Sequence, residues 1–299
     1  ASMATSKKKI KIALLLDISN SMDGLIDQAR AQLWRIVNEL ALAKCENEKP
    51  DLEIALYEYG NSGLSVRDGY VRQVTMFTHD LDLISEKLFS LKTNGGDEYC
   101  GYVINSASKE LEWSHTPDDL QLIFIAGNEP FNQGPVNGNE ACQATKEKGI
   151  MVNTIYCGGY DQGVSEGWKS GAVFANGNYM SIEQDKKTVY IETPYDKEIG
   201  ALNDRINSTY IGYGIEGDAK AENQKAQDKN AGSYSTSNMA ERVKMKTTSV
   251  YNNATWDLVD ASKQKGFDLE KLDDTQLPKE LKGKTSEEKK QYIAKKQAE

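Results

Sequence analysis

The sequence predicts an α/β fold, a mostly parallel sheet with helices on both faces, and three observations carry that expectation. Strand-like and helix-like segments alternate through the first two-thirds of the chain. The first of them, Ile10 to Leu16, is a near-continuous apolar run after three lysines, the pattern of a parallel strand buried on both faces. After Thr193 the alternation ends and polar residues take over. Alternating β and α units of this length build parallel sheets. Ligands of such sheets bind at the carboxyl ends of the strands.

Each element has its own signal. From Met22 to Leu42 the apolar positions Leu25, Ile26, Ala29, Leu33, Ile36, Val37 and Leu40 follow helical spacing. Leu52 to Tyr59 is a second strand, and Tyr70 to Phe77 a third that can pair with it across Asn61, Ser62 and Gly63. Leu81 to Leu91 is a short amphipathic helix, followed by Thr93-Asn94-Gly95-Gly96 and a helix from Tyr99 to Trp113. Leu120 to Ala126 is the fourth strand, with a Gly, Pro and Asn-rich loop after it. A helix through Ala141 to Lys148, the strand Ile150 to Cys157, a helix around Val164 to Phe174 and a strand pair ending near Ile191 complete the alternation. Tyr195 to Tyr210 reads as a further helix, and Met239 to Ala261 supports one or two more. Leu277 to Glu299 is helix-prone, but its apolar content is too thin for a core of its own. It is expected to pack back on the main domain or to await a partner.

Composition narrows the function. The 299 residues suit one large domain or two small ones, and 36 Lys and Arg against 45 Asp and Glu leave a formal charge of -9. Nucleic-acid binders concentrate Lys and Arg on one face, so this balance opposes that class. Hydrophobic residues make up 38% of the chain and the mean hydropathy is -0.62. Part of the chain is therefore expected to be extended, solvated or dependent on a partner. The longest aliphatic stretch, Ile12 to Leu16, is too short to cross a bilayer. Cys45, Cys100, Cys142 and Cys157 include no CxxC pair and no Cys/His cluster, which opposes a zinc site. They read as reduced, mostly buried thiols rather than as a Cys142–Cys157 disulfide.

Directly after the first strand stands Asp17-Ile18-Ser19-Asn20-Ser21, then Met22-Asp23-Gly24. Three oxygen-bearing side chains at alternate positions, on a tight turn between a buried strand and a helix, converge on one point. One carboxylate with two hydroxyls is a hard-oxygen set suited to Mg²⁺ or Mn²⁺. A helix N-cap explains one or two of these residues. It does not explain Asp17 at the end of a buried strand, where an unpaired carboxylate is costly.

At these residues the chain resembles a von Willebrand factor A domain, whose metal-ion-dependent adhesion site carries Asp-x-Ser-x-Ser after the first strand. The resemblance implies a doubly wound, Rossmann-like sheet with one antiparallel edge strand over residues 10–212. Residues 1–9 would be a tail or cloning remnant, and residues 213–299 a polar, partly helical extension. It also implies a further ligand from Thr93-Asn94-Gly95-Gly96-Asp97-Glu98, where counting from the glycine pair selects Asp97. The family's third element is an Asp at the end of the fourth strand. Here Gly127 takes that position, with Asn128 beside it as the fifth candidate and Glu129 further out.

What the resemblance implies for function is a divalent-cation-dependent adhesion or assembly module. Asp17, Ser19, Ser21, Asp97 and Asn128 would hold Mg²⁺, or Mn²⁺ or Ca²⁺, and a partner's Asp or Glu would complete the ion's ligands. The alternatives are a subunit of an ATP-driven chelatase-like machine and a scaffold that has lost its metal. An enzyme is not expected. Ser19 stands where a phosphatase of the haloacid-dehalogenase type needs a second Asp, and Ser19 and Ser21 lack a Gly-x-Ser-x-Gly elbow. His79 and His115 have no context that pairs them with a nucleophile, and there is no phosphate-binding loop. Phe131, on the loop beside the site, is open between an exposed anchor and a residue tucked under its loop. The compartment expected from the resemblance is periplasmic or extracellular, for a fragment of an envelope-anchored bacterial lipoprotein, with the cytoplasm as the alternative.

Overall fold

The computed structural model describes residues 8–42, 51–183, 189 and 191–299. Cys45 and most of the N-terminal tail lie outside them. The strands are β1 (Lys9–Asp17), β2 (Asp51–Tyr59), β3 (Val71–Thr78), β4 (Leu120–Gly127), β5 (Met151–Cys157) and β6 (Tyr179–Ile182). They form one sheet in the order β3-β2-β1-β4-β5-β6. Every neighbouring pair is parallel except β2 with β3, the antiparallel edge. This is the doubly wound, Rossmann-like order, and the strand sequence reverses between β1 and β4. Asp17 ends β1 at that switch point.

The connecting helices are α1 (Asp23–Leu42), α2 (Leu81–Ser90), α3 (Cys100–Glu110), α4 (Gly138–Glu147), α5 (Tyr160–Ser165) and α6 (Trp168–Phe174). The apolar run of β1 does what a central parallel strand must. Ala13 and Leu15 enter one core with Ala55, Tyr57, Ile123 and Ile125 of the neighbouring strands and with Val103, Ile104 and Ala107 of α3. The helix expected over Val164 to Phe174 is two, α5 and α6, because Gly167 between them sits at φ 91, a left-handed conformation that glycine adopts without steric cost. β6 is the first member of the expected closing strand pair. The second, toward Ile191, falls largely on residues outside those described. Phe131 is fully buried and meets Trp168 edge-on at 5.2 Å, so it is a core residue and not an exposed anchor. Cys100, Cys142 and Cys157 are free and buried.

The chain divides into two compact units, Ala1–Val189 and Tyr190–Glu299. The helix expected to close the first domain, α7 (Asp196–Asn207), belongs to the second unit and packs on α9 (Thr236–Lys246). Between them in sequence runs α8 (Gly217–Tyr234), a helix with almost no apolar stripe. Charge holds the three together. Asp228 of α8 accepts from Arg242 Nε at 3.0 Å and Lys246 Nζ at 2.8 Å on α9, and from Asn203 and Asn207 of α7 at 2.8 and 2.7 Å.

The C-terminal segment does have a core. Leu277, Leu281 and Ile293 bury against Ile211, Leu258, Val259 and Leu269 of the same unit, around α10 (Leu258–Ala261) and α11 (Ser286–Ala298). Its few apolar residues suffice because distant segments pool them, which periodicity within one segment does not reveal.

Candidate metal centre

Asp17 is fully buried at the carboxyl end of β1. Its Oδ1 accepts from the Ser19 amide at 2.8 Å, while Oδ2 is buried with no hydrogen-bond partner. Burial pushes the Asp17 carboxyl up to about 7, and the nearby Glu98 and Glu129 carboxylates push the same way against the Ser19 hydrogen bonds. A lone carboxylate in such a place calls for a cation.

The turn that follows aims two hydroxyls at the same point. The Ile18 amide donates to Tyr59 O, the Asn94 amide to Ile18 O, and the Met22 amide to Ser19 O. These bonds fix the turn between β2 and the Thr93–Glu98 loop, with Met22 buried as its plug. Ser19 and Ser21 bring their Oγ atoms to 3.1 Å. Ser19 is the N-cap of the short 3₁₀ turn Asn20–Met22, yet its side chain makes no capping bond. Helix capping therefore does not account for its hydroxyl. Asn128 stands across the cleft, with its amide 3.3 Å from Ser21 Oγ through Nδ2.

The loop before α3 corrects one expectation. Asp97 is exposed, and its Oδ2 accepts from Tyr99 Oη at 3.1 Å. The carboxylate that turns inward is Glu98, which is buried and lies near Ser19. A Cβ on Gly60 would meet Asp17 Oδ1 at 2.8 Å and Glu98 Cγ at 2.9 Å, so the two acidic side chains converge on one glycine. The physical reason is register. In the extended stretch before Cys100 successive side chains alternate, and Gly96 pressed against Gly60 O and Ser62 N sets the phase so that Glu98 points in. Burial pushes Glu98 up to about 7, with Glu129 adding to it.

Asp17, Ser19, Ser21 and Asn128 are thus brought together, Asp97 is not, and Glu98 and half-buried Glu129 join them. The donors are all oxygen, and the buried Oδ2 lacks a partner. That set fits a hard divalent cation of the Mg²⁺ type. Gly127 occupies the place the family gives to an Asp, and no side chain there contributes a ligand.

Two other features lie at the opposite end of the sheet, where Lys9 of β1 pairs with Asp51 of β2. Asp51, Glu53 and His79 place one ligand atom each within 4.8 Å of one another. The Glu53 charge is already matched by Lys11 at 3.1 Å and Lys9 at 3.5 Å. His79 Nδ1 lies 3.0 Å from Leu52 O. A cavity of about 770 Å³ beside them is lined by Lys9, Lys11, Trp113 and Lys148 among others. Lys11 and Lys148 there bond the chain carbonyls of Glu112 and Ser108 at 2.8 and 2.9 Å.

No protein-family model matches the chain, and no curated relative matches it. Among solved structures it is similar to the conserved hypothetical protein BatB from Bacteroides thetaiotaomicron, at 15% identity and a TM-score of 0.44 over 67% of this chain and 98% of that one. It is also similar to proximal thread matrix protein 1 from the mussel byssus with a zinc-occupied MIDAS motif, at 12% identity and a TM-score of 0.43 over 60% of this chain and 43% of that one. A third similar structure is the pilus adhesin SpaC from Lactobacillus rhamnosus GG, at 13% identity and a TM-score of 0.44 over 60% of this chain and 28% of that one. The chain thus spans less than half the length of the second and third of these. In strand order, in its one antiparallel edge and in Asp17-x-Ser19-x-Ser21 at the carboxyl end of β1, the chain resembles the von Willebrand factor A domains.

Proposed function

We propose that this chain is a divalent-cation-dependent protein-interaction module. Asp17, Ser19 and Ser21 hold one Mg²⁺, with Glu98 as the second inner carboxylate and Asn128 on the open side; Mn²⁺ or Ca²⁺ can take its place. The ion supplies electrophilic attraction for a carboxylate, so a partner protein presenting Asp or Glu binds there, in adhesion or assembly. Asp97, on the exposed side of the same loop, faces the partner and not the ion.

The single observation that carries this reading is Asp17 Oδ2, a fully buried carboxylate oxygen with no donor, beside two hydroxyls 3.1 Å apart. Asp17 and Glu98 together carry the charge that one divalent ion cancels. A hydrolytic role for Ser19 or Ser21 lacks a base. His79 is at the far end of β2 and His115 is exposed in the turn before β4. We therefore read the domain as a binding module and not as an enzyme.

Among the described residues no helix is long and apolar enough to cross a membrane. A periplasmic or extracellular location, where the metal face meets another protein, is the second part of the proposal, and fractionation of the source cells checks it.

The test of the first part is calorimetric titration of metal-stripped protein with Mg²⁺ and Mn²⁺, beside Asp17→Ala. One saturable site that the variant lacks is the expected result. No heat from either chain, with a melting temperature unmoved by metal, would leave a scaffold with no ion.

A further inference from the structure

We propose that Tyr59 is the residue that keeps position 127 a glycine and holds the third side of the metal centre free of a carboxylate. The part concerning the metal rests on the reading above. The packing part stands alone.

Asp17 pairs in register with Tyr59 on β2, and Leu16 pairs with Ala126 on β4. Tyr59, Asp17 and Gly127 therefore form one row across three adjacent strands, and neighbours in such a row share a face of the sheet. Tyr59 is fully buried, and its hydroxyl reaches past Asp17 to donate to Ala126 O at 2.9 Å. A Cβ on Gly127 would lie 2.5 Å from that hydroxyl, and 3.1 Å from both Asp17 Oδ2 and Trp168 Cη2. Gly127 has no left-handed φ, so its backbone would accept any residue. It is the phenol that forbids one. The ring cannot swing aside, because it is packed in the core with Cys100, Ile125 and Trp168 and its hydroxyl is bonded.

The same bond explains why Asp17 is not neutralised by its neighbour. A phenol has one proton, and Tyr59 places it on the Ala126 carbonyl. Asp17 Oδ2, close by, keeps no donor. Tyr59 is thus a positioning residue. It fills the room of a side chain at 127, leaves Asp17 Oδ2 open to a cation, and limits the fully enclosed carboxylates to Asp17 and Glu98.

The test is a double-mutant cycle on the full chain, read as melting temperature without metal. Gly127→Ala should lower it in the Tyr59 background and lower it by less than half as much in the Tyr59→Phe background, which lacks the obstructing oxygen. Equal losses in both backgrounds overturn the packing claim. Calorimetric titration with Mn²⁺ follows. Tyr59→Phe should keep affinity within about threefold, whereas a loss beyond about tenfold would make Tyr59 a ligand and overturn its positioning role. Tyr59→Leu with Gly127→Asp should bind Mn²⁺ at least about tenfold tighter than Tyr59→Leu alone. Gly127→Asp that folds at the wild-type temperature and tightens binding with Tyr59 intact overturns the proposal. A wild-type chain that binds no Mn²⁺ overturns the functional reading and the metal half of this one, while the thermal cycle still decides the packing half.

Discussion

The Ser19 amide donates to Asp17 Oδ1 at 2.8 Å and so locks the carboxylate in a pose that leaves its other oxygen buried and undonated. A buried charge held this way costs the metal-free fold and is compensated when a cation arrives. Asp17→Asn should therefore separate the two states. At pH 8 without metal the variant is expected to be more stable than wild type by about 1–3 kcal/mol. With Mg²⁺ the order reverses, because only wild type gains. Denaturant midpoints with and without Mg²⁺ check both halves.

Glu98 and Asp97 are adjacent in sequence and opposite in orientation. Glu98→Gln should weaken Mg²⁺ binding by more than about tenfold, equivalent to ~1.4 kcal/mol. Asp97→Asn, which changes an exposed residue bonded to Tyr99, should alter it by less than about threefold. Calorimetry on the two variants decides which carboxylate serves the ion. A larger loss from Asp97→Asn would restore the assignment made by counting from the glycine pair.

In the second unit, Asp257 sets a pH dependence. It is fully buried, accepts from the Ile211 amide at 2.6 Å and the Asp260 amide at 2.9 Å, and is still pushed up to about 6 because burial outweighs both bonds. Its folded value lies above the ordinary 3.8, so between the two the folded chain binds more protons than the unfolded one. Stability contributed by this group should rise as pH falls from about 6 toward 4, and the cost should be fully present above 6. Asp257→Asn cannot titrate. The gap in urea midpoint between wild type and variant should therefore move in favour of wild type across that window.

Asp228 pairs with both Arg242 and Lys246, which are buried, in the group that ties α7, α8 and α9. Burial pushes its carboxyl up, but the two cations outweigh it and hold the group below the ordinary carboxylate range. Asp228→Asn should cost about 3–5 kcal/mol, since it removes the buried carboxylate that both enclosed cations share. Faster hydrogen exchange across residues 196–246, with the sheet of the first unit unchanged, is the expected signature.

Much of the first unit is legible in the residue order. The apolar run Ile10 to Leu16, the period of Leu25 to Leu40 and the placement of Asp17, Ser19 and Ser21 after a buried strand each follow from local pattern. Glu98 was not legible, because a loop with two glycines has no period to fix which of two neighbouring acids turns inward. Nor was the boundary near residue 190. The affinity of α7 for α8 and α9 lies in Asn203, Asn207, Asp228, Arg242 and Lys246, polar residues that read singly as solvated surface.

The alternation of strands and helices and the oxygen-rich turn at the end of β1 are set by residue order alone, because both depend on neighbours a few residues apart. That Tyr59 fills the space beside Gly127 and that Glu98 joins Asp17 emerges only once the folded chain is packed. Those relations join residues 68 and 81 positions apart. They arise where β2, β1 and β4 come into register and a rigid phenol from one strand takes the volume left by a missing side chain on another.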